Sequence, residues 1–449
     1  VDTQNVYDWL FVIYVHEIPY YLHQSNAILR TILEAPAGGN VAVFVAREAV
    51  GQKMEPLAGG GVSLVNYYTL TLSELQFDER GAGNFVALES DVLCEGGEGW
   101  RQALRAIFPR VRARRRMLVS FSHGAAFGIN VDMEGLMRSS GQCADLPILW
   151  MDDLAGELKN CLGDEAIDVL LLNNCYMQCM ETGYVLREQV RFIVAAEGAL
   201  EAIGYDYARL MRRLSEQTQR DAEEMAKGII DDYAQLGDVS RDGLAGQAVF
   251  ANRAGAYGEA LTLLGRFLDI LLDNMDEVAD VLDDIRENKL LYVSAPLNAY
   301  TSNYLGMIDL FTWVGLVLSR LGHLFTATGL AAEFAVLRLR LVVAGKVGEG
   351  LVQHDAVQPG VDGQVGVAGT TGVDGQVEAT GMPIFGYSGV SVFYPRSVDR
   401  ASLQAIPRCA YERMTGPWKR FLEAYYQRSP QYPAATKNPD PLQSPGMVS

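Results

Sequence analysis

Two apolar runs bracket one helix in the second quarter of the chain, and that unit leaves little choice of fold. The first run is Met117-Leu118-Val119-Ser120-Phe121, closed by Ser122-His123-Gly124. The second is Ile167-Asp168-Val169-Leu170-Leu171-Leu172, closed by Asn173-Asn174-Cys175. Nearly continuous apolar runs of this length mark strands buried on both faces of a parallel sheet. Between them, residues 152–162 begin acidic and set Leu154, Leu158, Cys161 and Leu162 on one helical face. Strand, helix, strand lays the two strands parallel in one sheet. Their carboxyl ends then share an edge, which is where open α/β sheets carry their sites. His123 and Cys175 are thereby predicted to meet.

The same alternation runs through the first half. Strands are predicted at 8–15, 41–46, 62–70 and 190–196, and helices at 24–34, 99–108 and from Cys175 to about Gln189. This is a doubly wound α/β layer. From Tyr205 the pattern turns helical. Ala222, Met225, Ile229 and Tyr233 share a face, residues 257–285 read as one long amphipathic helix, and 306–322 and 331–343 as two more. Residues 352–380 are Gly-rich and repeat Gly-Val-Asp-Gly-Gln-Val; the Asp-Gly pairs suit a hairpin, but a flexible loop is the expected form. A strand at 389–394 and a helix at 411–426 follow, and the Pro-rich end is expected to be disordered. The divisions are 1–204, an α/β core; 205–350, a helical region; 351–380, the Gly-rich loop; 381–428, a closing strand and helix; and 429–449, the tail.

A net charge of −18 argues against nucleic acid. The basic cluster Arg112 to Arg116 reads as a solvated turn before the His123 strand. Six cysteines show no zinc spacing and no dense disulfide framework, and Cys175 and Cys179, four apart on the expected helix, are poorly placed for a mutual disulfide. The most apolar stretch, 305–318, contains Asp309 and reads as buried helix, so no membrane-spanning segment is expected. The chain begins with Val1, so an upstream segment, a signal peptide among the possibilities, is expected to have been removed.

Cysteine attack on a carbonyl needs a thiolate, a proton donor for the leaving group and donors for the oxyanion. Cys175 is predicted where a strand passes into a helix, and helix N-termini lower a thiol pKa. His123 can protonate a leaving amine. Gly124, having no side chain, can bring its N–H close to a substrate carbonyl. The alternative is a buried structural thiol and an ordinary loop histidine, and the residues by themselves leave both open.

The chain resembles the clostripain-like cysteine peptidases, within the larger group with the caspase-type fold. The likeness rests on Ser122-His123-Gly124 and on Asn173-Asn174-Cys175-Tyr176-Met177 with Glu181 following. It extends to the opening strand 9–14, Val194-Ala195-Ala196-Glu197, Ile308-Asp309-Leu310, Gly389-Val390-Ser391-Val392-Phe393-Tyr394-Pro395, and Trp418 with Phe421-Leu422, about residues 8 to 426. The resemblance implies a caspase-like α/β core with a mostly parallel sheet and helices on both faces, plus a helical C-terminal half that returns a strand to the core. It implies a cysteine endopeptidase with Cys175 as nucleophile, His123 as general acid, and the N–H groups of Gly124 and Cys175 as oxyanion hole. The partner is then a peptide or protein substrate. No cofactor or metal is expected, and an exported location is implied.

Two departures matter. The family's Asp two residues before the nucleophile is Asn173 here, which weakens the case for a basic specificity pocket; Glu197 and Asp206 are the carboxylates that could supply the charge. The Asp expected after the opening strand is also missing; His16 and Glu17 stand there, and His16 reads as a loop residue. Relatives are often matured by self-cleavage between the two motifs, and Arg138-Ser139-Ser140-Gly141 in the long connection 131–146 is the place for it here. The rival readings are a caspase-like signalling peptidase domain and a non-catalytic binding module on the same fold.

Overall fold

The opening apolar run becomes β1 (Val6–Glu17), an inner strand of a nine-stranded sheet. The structure, a computed structural model, describes residues 6–17, 22–34, 40–56, 61–94, 98–132, 142–143, 146–200, 204–216, 221–236, 247–288, 293, 306–347, 376–377, 383–384, 387–395 and 405–428. The other strands of the sheet are β2 (Val41–Pro56), β3 (Val62–Phe77), β4 (Gly83–Cys94), β5 (Arg112–Phe121), β8 (Ile167–Asn173), β9 (Val190–Ala196), β10 (Ala248–Arg253) and β12 (Val342–Val347). A short antiparallel pair, β6 (Gly128–Ile129) with β7 (Leu149–Trp150), lies between β5 and β8 in the chain, and β11 (Met307–Asp309) lies outside the sheet.

The strand order is β12-β10-β9-β8-β5-β1-β2-β3-β4. The five strands from β9 to β2 are parallel; β3 and β4 at one side and β10 and β12 at the other are antiparallel additions. This is a mostly parallel α/β sheet of the caspase-like kind. Met117 pairs with Val169 and Phe121 with Asn173, so the two apolar runs are parallel neighbours, as the crossover rule requires.

Along β1 the side chains alternate between two cores. Trp9, Phe11, Ile13 and Val15 pack with helices α1 (Leu22–Leu33), α5 (Tyr207–Glu216) and α6 (Ala222–Leu236). Leu10, Val12 and Tyr14 face α2 (Glu98–Ile107) and α3 (Met151–Leu162). Helices therefore cover both faces. A third core gathers α7 (Ala256–Asp273), α8 (Met275–Arg286), α9 (Leu310–Phe325), α10 (Leu330–Leu341), α11 (Ala405–Arg413) and α12 (Pro417–Arg428). At its centre the Trp313 ring stands 5.1 Å from Trp418, 5.6 Å from Phe421 and 6.2 Å from Tyr394, and Trp418 donates its indole N–H to the Phe393 carbonyl at 2.5 Å. Such aromatic pairs are each worth about 0.5–1.5 kcal/mol beyond burial.

Several expectations need correction. The region 205–350 is not purely helical: β10 and β12 extend the main sheet. The strand Ser391–Phe393 pairs with β11 in a separate two-stranded sheet and does not enter the main one; it is tied to the catalytic half by a bridge to Cys179, by the Phe393 N–H donated to Glu181 Oε1 at 3.0 Å, and by the Phe127 ring against Phe393. The helix expected over 257–285 breaks at Asn274, and the one over 411–426 breaks into α11 and α12. Arg112 to Arg116 lie within β5, with Arg116 paired to Glu165 and Arg114 to Asp8, so the cluster is half of a strand and not a turn. The tail 429–449, nearly all of the Gly-rich segment and Arg138 lie outside the described residues.

A disulfide joins Cys143, in the connection between β6 and β7, to Cys409 on α11, across 266 positions of sequence. Cys94, Cys161, Cys175 and Cys179 are free thiols. Among the described residues no helix is long and apolar enough to cross a membrane.

Candidate active site

His123 follows β5 directly and Cys175 stands two residues past β8, so both occupy the carboxyl edge of adjacent parallel strands. The backbones touch there. A Cβ on Gly124 would lie 2.5 Å from the Cys175 carbonyl oxygen, 2.9 Å from its nitrogen and 2.8 Å from Asn174 Cβ. Only glycine permits that approach. Gly124 also pairs with Ile129, through the bond from Ala125 N–H to the Gly128 carbonyl at 3.0 Å.

Asn174 fastens the two strand ends. Its Nδ2 donates to Ser122 Oγ at 2.7 Å, to the Ser122 carbonyl at 3.0 Å and to the His123 carbonyl at 3.4 Å. Ser122 Oγ in turn accepts the Asn130 N–H at 2.9 Å. Neither Asn174 nor Ser122 stood out as a site residue in the sequence. A polar residue immediately before each motif, at the end of an otherwise apolar strand, was the available signal.

The helix after Cys175 starts later than expected. Residues 174–178 form a turn in which Tyr176 has φ of +62°, and α4 (Met180–Leu186) begins with Cys179 as its N-cap. Cys175 therefore gains nothing from a helix N-terminus, and Cys175 and Cys179 do not share a helix. The turn is stitched to the end of β9 by Tyr176 N–H to the Gly198 carbonyl at 2.7 Å and Gln178 N–H to the Ala196 carbonyl at 2.9 Å. Burial pushes the Cys175 thiol pKa up, opposed by the Leu200 backbone, whose N–H lies 3.4 Å from Sγ. His123 moves the other way, down to about 4: burial is the main cause, His16 adds to it, and Asp132 works against it. At neutral pH the resting pair is a thiol and a neutral imidazole.

The three expected substrate-binding residues fare differently. Asn173 is buried at the end of β8, donates to the Tyr207 hydroxyl at 3.3 Å, and its amide oxygen fills the space a Cβ on Gly204 would take. Glu197 is fully buried, and its Oε2 accepts the Gly389 N–H at 2.8 Å. Burial, then neighbouring Asp309, push its pKa far up. Asp309 caps α9 through Thr312 N–H at 2.6 Å and accepts both the N–H and the hydroxyl of Ser388 at 2.6 Å. Glu197 thus clamps the 388–389 segment onto β9, and its charge is not offered to a ligand. Asp206 accepts the Arg209 N–H at 3.0 Å at the start of α5 and pairs with the Arg209 guanidinium at 3.4 Å. His16 is not in a loop: it lies within β1, buried, with Nδ1 2.5 Å from Glu48 Oε2. An apolar groove lined by Trp150, Met180, Leu261 and Trp418 includes neither His123 nor Cys175.

Residues 98–290, which carry both motifs and the sheet from β5 to β10, match the family model described as the clostripain family. Over that stretch, under half of its length, the chain carries the clostripain-family pattern. It is accordingly a cysteine peptidase, a hydrolase. Solved clostripain-type structures share its fold. An inactive zymogen C11 protease from Parabacteroides distasonis is 15% identical, with a TM-score of 0.59, covering 93% of this chain and 99% of that one. A secreted C11 cysteine protease from Bacteroides thetaiotaomicron, in complex with an irreversible peptide inhibitor, is 13% identical with a TM-score of 0.55 over the same shares. At such identities the likeness is one of fold. No curated protein matches the chain.

The Gly124 contact predicts a sharp effect. Gly124→Ala forces the Cys175 backbone away, an overpacking cost of about 1–3 kcal/mol. A displacement near 1 Å at a reacting centre costs about a hundredfold in rate. Cleavage of a fluorogenic peptide and thermal melting of the variant measure both. Full activity in Gly124→Ala would show that the close approach has no part in the chemistry.

Proposed function

We propose that the protein is a cysteine endopeptidase in which Cys175 attacks the scissile carbonyl of a peptide or protein substrate and His123 carries the proton. As Sγ forms its bond to carbon, His123 takes the thiol proton; the same proton then passes to the amine nitrogen as the C–N bond breaks. The backbone N–H groups of Gly124 and Cys175 receive the developing oxyanion. Water attacks the resulting thioester, with His123 now acting as base, and the thiol returns. The single observation that carries this reading is the contact of the His123-Gly124 turn with the Cys175 backbone at one sheet edge. The binding-module alternative draws its support from Leu200, whose N–H and carbonyl lie 3.4 and 3.5 Å from the thiol sulfur. A peptidyl acyloxymethylketone probe separates the two. A single adduct on Cys175, absent in Cys175→Ala and in His123→Ala, supports the peptidase. An unlabelled, folded wild type supports the module.

The reading carries a specificity. Asn173 has no charge, Glu197 is turned onto Gly389 and pushed by burial toward its neutral form, and Asp206 is engaged by Arg209. Discrimination for Arg or Lys before the scissile bond is therefore weak. Matched peptides with Arg, Gln or Leu at that position should differ in kcat/KM by no more than about tenfold, some 1.4 kcal/mol. Arg selectivity of a hundredfold that persists in Glu197→Gln and Asp206→Asn contradicts this. Export is part of the proposal: the Cys143–Cys409 bond needs an oxidising compartment, and one fold relative is described as secreted.

A further inference from the structure

Three oxygens of the Ser122-His123 turn converge on one side-chain nitrogen. Asn174 is 1% exposed, and its Nδ2 reaches Ser122 Oγ at 2.7 Å, the Ser122 carbonyl at 3.0 Å and the His123 carbonyl at 3.4 Å. Ser122 Oγ accepts that bond and the Asn130 N–H at 2.9 Å, and it donates its own proton to the His123 carbonyl at 3.1 Å. The His123 carbonyl is therefore held by two donors that are themselves bonded to each other.

That carbonyl belongs to the same peptide unit as the Gly124 N–H. A trans peptide unit is planar, with its C=O and N–H pointing in opposite directions. Anchoring the His123 carbonyl toward Asn174 thus turns the Gly124 N–H away from it. Among the described residues that N–H donates to no protein acceptor. Gly124 also lies against the backbone of Cys175, since a Cβ on it would stand 2.9 Å from the Cys175 nitrogen. The two N–H groups offered to an oxyanion are therefore neighbours. The strand end itself does not call for an amide at position 174. The buried Oδ1 accepts from no donor among the described residues, and an unpaired buried acceptor costs stability. An apolar side chain would avoid that cost; what it could not supply is the Nδ2 donor.

We propose that Asn174 is a positioning residue for the hydrolytic reaction: by holding the Ser122 and His123 carbonyls it fixes the plane of the 123–124 peptide and so aims the Gly124 N–H at the developing oxyanion. The inference rests on the reading of Cys175 as nucleophile and Gly124 as oxyanion donor. A hydrogen bond weakens steeply as its angle closes, so a tilted peptide plane loses transition-state stabilisation and leaves substrate binding alone. One reaction of the same thiol is blind to that plane. When Cys175 attacks a disulfide, a sulfur–sulfur bond forms, a thiolate leaves and no oxyanion develops.

Asn174→Ala in the full chain is the test, with two readouts. One is hydrolysis of a fluorogenic peptide. The other is the rate at which dipyridyl disulfide modifies Cys175, taken as the labelling that Cys175→Ala lacks, because Cys94, Cys161 and Cys179 are also free. Deleting an oxyanion donor outright costs about 10²–10³ in kcat. Misaiming one should cost about tenfold to a hundredfold in kcat, with KM and the disulfide rate each within about twofold of wild type. An unchanged kcat overturns the proposal. So does a disulfide rate that falls in step with kcat, which is the pattern of a loosened strand end that displaces His123 or the thiol. If Asn174→Ala does not fold, Asn174→Asp keeps the size and loses the donor, and the same split is expected of it. Failure of both to fold shows a part in stability alone and overturns the proposal. The reading beneath is tested separately. Hydrolysis that survives Cys175→Ala sinks the nucleophile assignment and this inference with it, whereas hydrolysis lost in Cys175→Ala but kept in full by Asn174→Ala sinks only the part given to Asn174.

Discussion

Exchanging His123 for Ala lowers kcat/KM by about 10³–10⁴ while the protein stays folded. Removal of a general acid–base group costs this much when nucleophile and oxyanion donors remain. The loss here should stand at the upper end, because burial raises the Cys175 pKa and no helix N-terminus lowers it. Without a base beside it, the thiol has no other route to thiolate near neutral pH. The same substitution has an opposite effect on acid stability. His123 titrates at about 4 in the fold against 6.5 ordinarily, so the unfolded chain binds a proton there that the native one does not. The stability that neutral His123 permits is complete above about pH 6.5 and is lost as the pH falls toward 4, at most about 3 kcal/mol. His123→Ala should therefore lose less stability than wild type between pH 6.5 and 4. Melting curves across that range, beside the rate measurement at neutral pH, check both halves. A variant that is inactive because it is unfolded would melt lower at every pH.

Removing the Cys143–Cys409 bond is the second large effect. The bond ties the connection between the two motif strands to α11, and its closure spans 266 positions, a long loop in entropic terms. Native disulfides of this kind contribute about 2–5 kcal/mol. Cys143→Ser with Cys409→Ser should lower the melting temperature by several degrees, and a thiol reductant should bring wild type down to the same value without moving the variant. Counting thiols in denaturant gives an independent check: four of the six cysteines are expected to react before reduction and all six after it. Identical melting of wild type and variant, with six reactive thiols in unreduced protein, would remove the bond from the account.

The central sheet was legible because its strands carry their own signal. β5 from Met117 and all of β8 are buried on both faces, so their sequences stay nearly continuous in apolar residues. β4 was missed for the opposite reason: it is an edge strand, half exposed, and its sequence alternates polar and apolar residues irregularly around Asp91, whose φ is +54°. β12 was read as the end of a helix because Leu341 and Val342 continue the apolar pattern of α10; the strand is defined only by its antiparallel partner β10 and by Gly345, which lies against the Phe250 ring. The helix after Cys175 starts later than its sequence suggests because the backbone of 176–178 bonds to the end of β9.

At the site, the sequence placed His123, Gly124 and Cys175 correctly at one edge, since strand ends follow from strands. It could not place charges. Glu197 and Asp206 were assigned to substrate by their position near the motif, but Glu197 is drawn inward by Gly389, 192 positions away, and Asp206 is held by the helix it begins. The bonds from Asn174 to Ser122 and His123 join separate strand ends, and only the folded sheet brings them together.

The account's central claim is that one thiol, Cys175, performs the hydrolysis. The most direct measurement is cleavage of a mixed peptide library by wild type and by Cys175→Ala at equal concentration, with both shown by melting to be folded. The predicted result is cut peptides from wild type and none from Cys175→Ala. Cleavage by Cys175→Ala at the wild-type rate would contradict it.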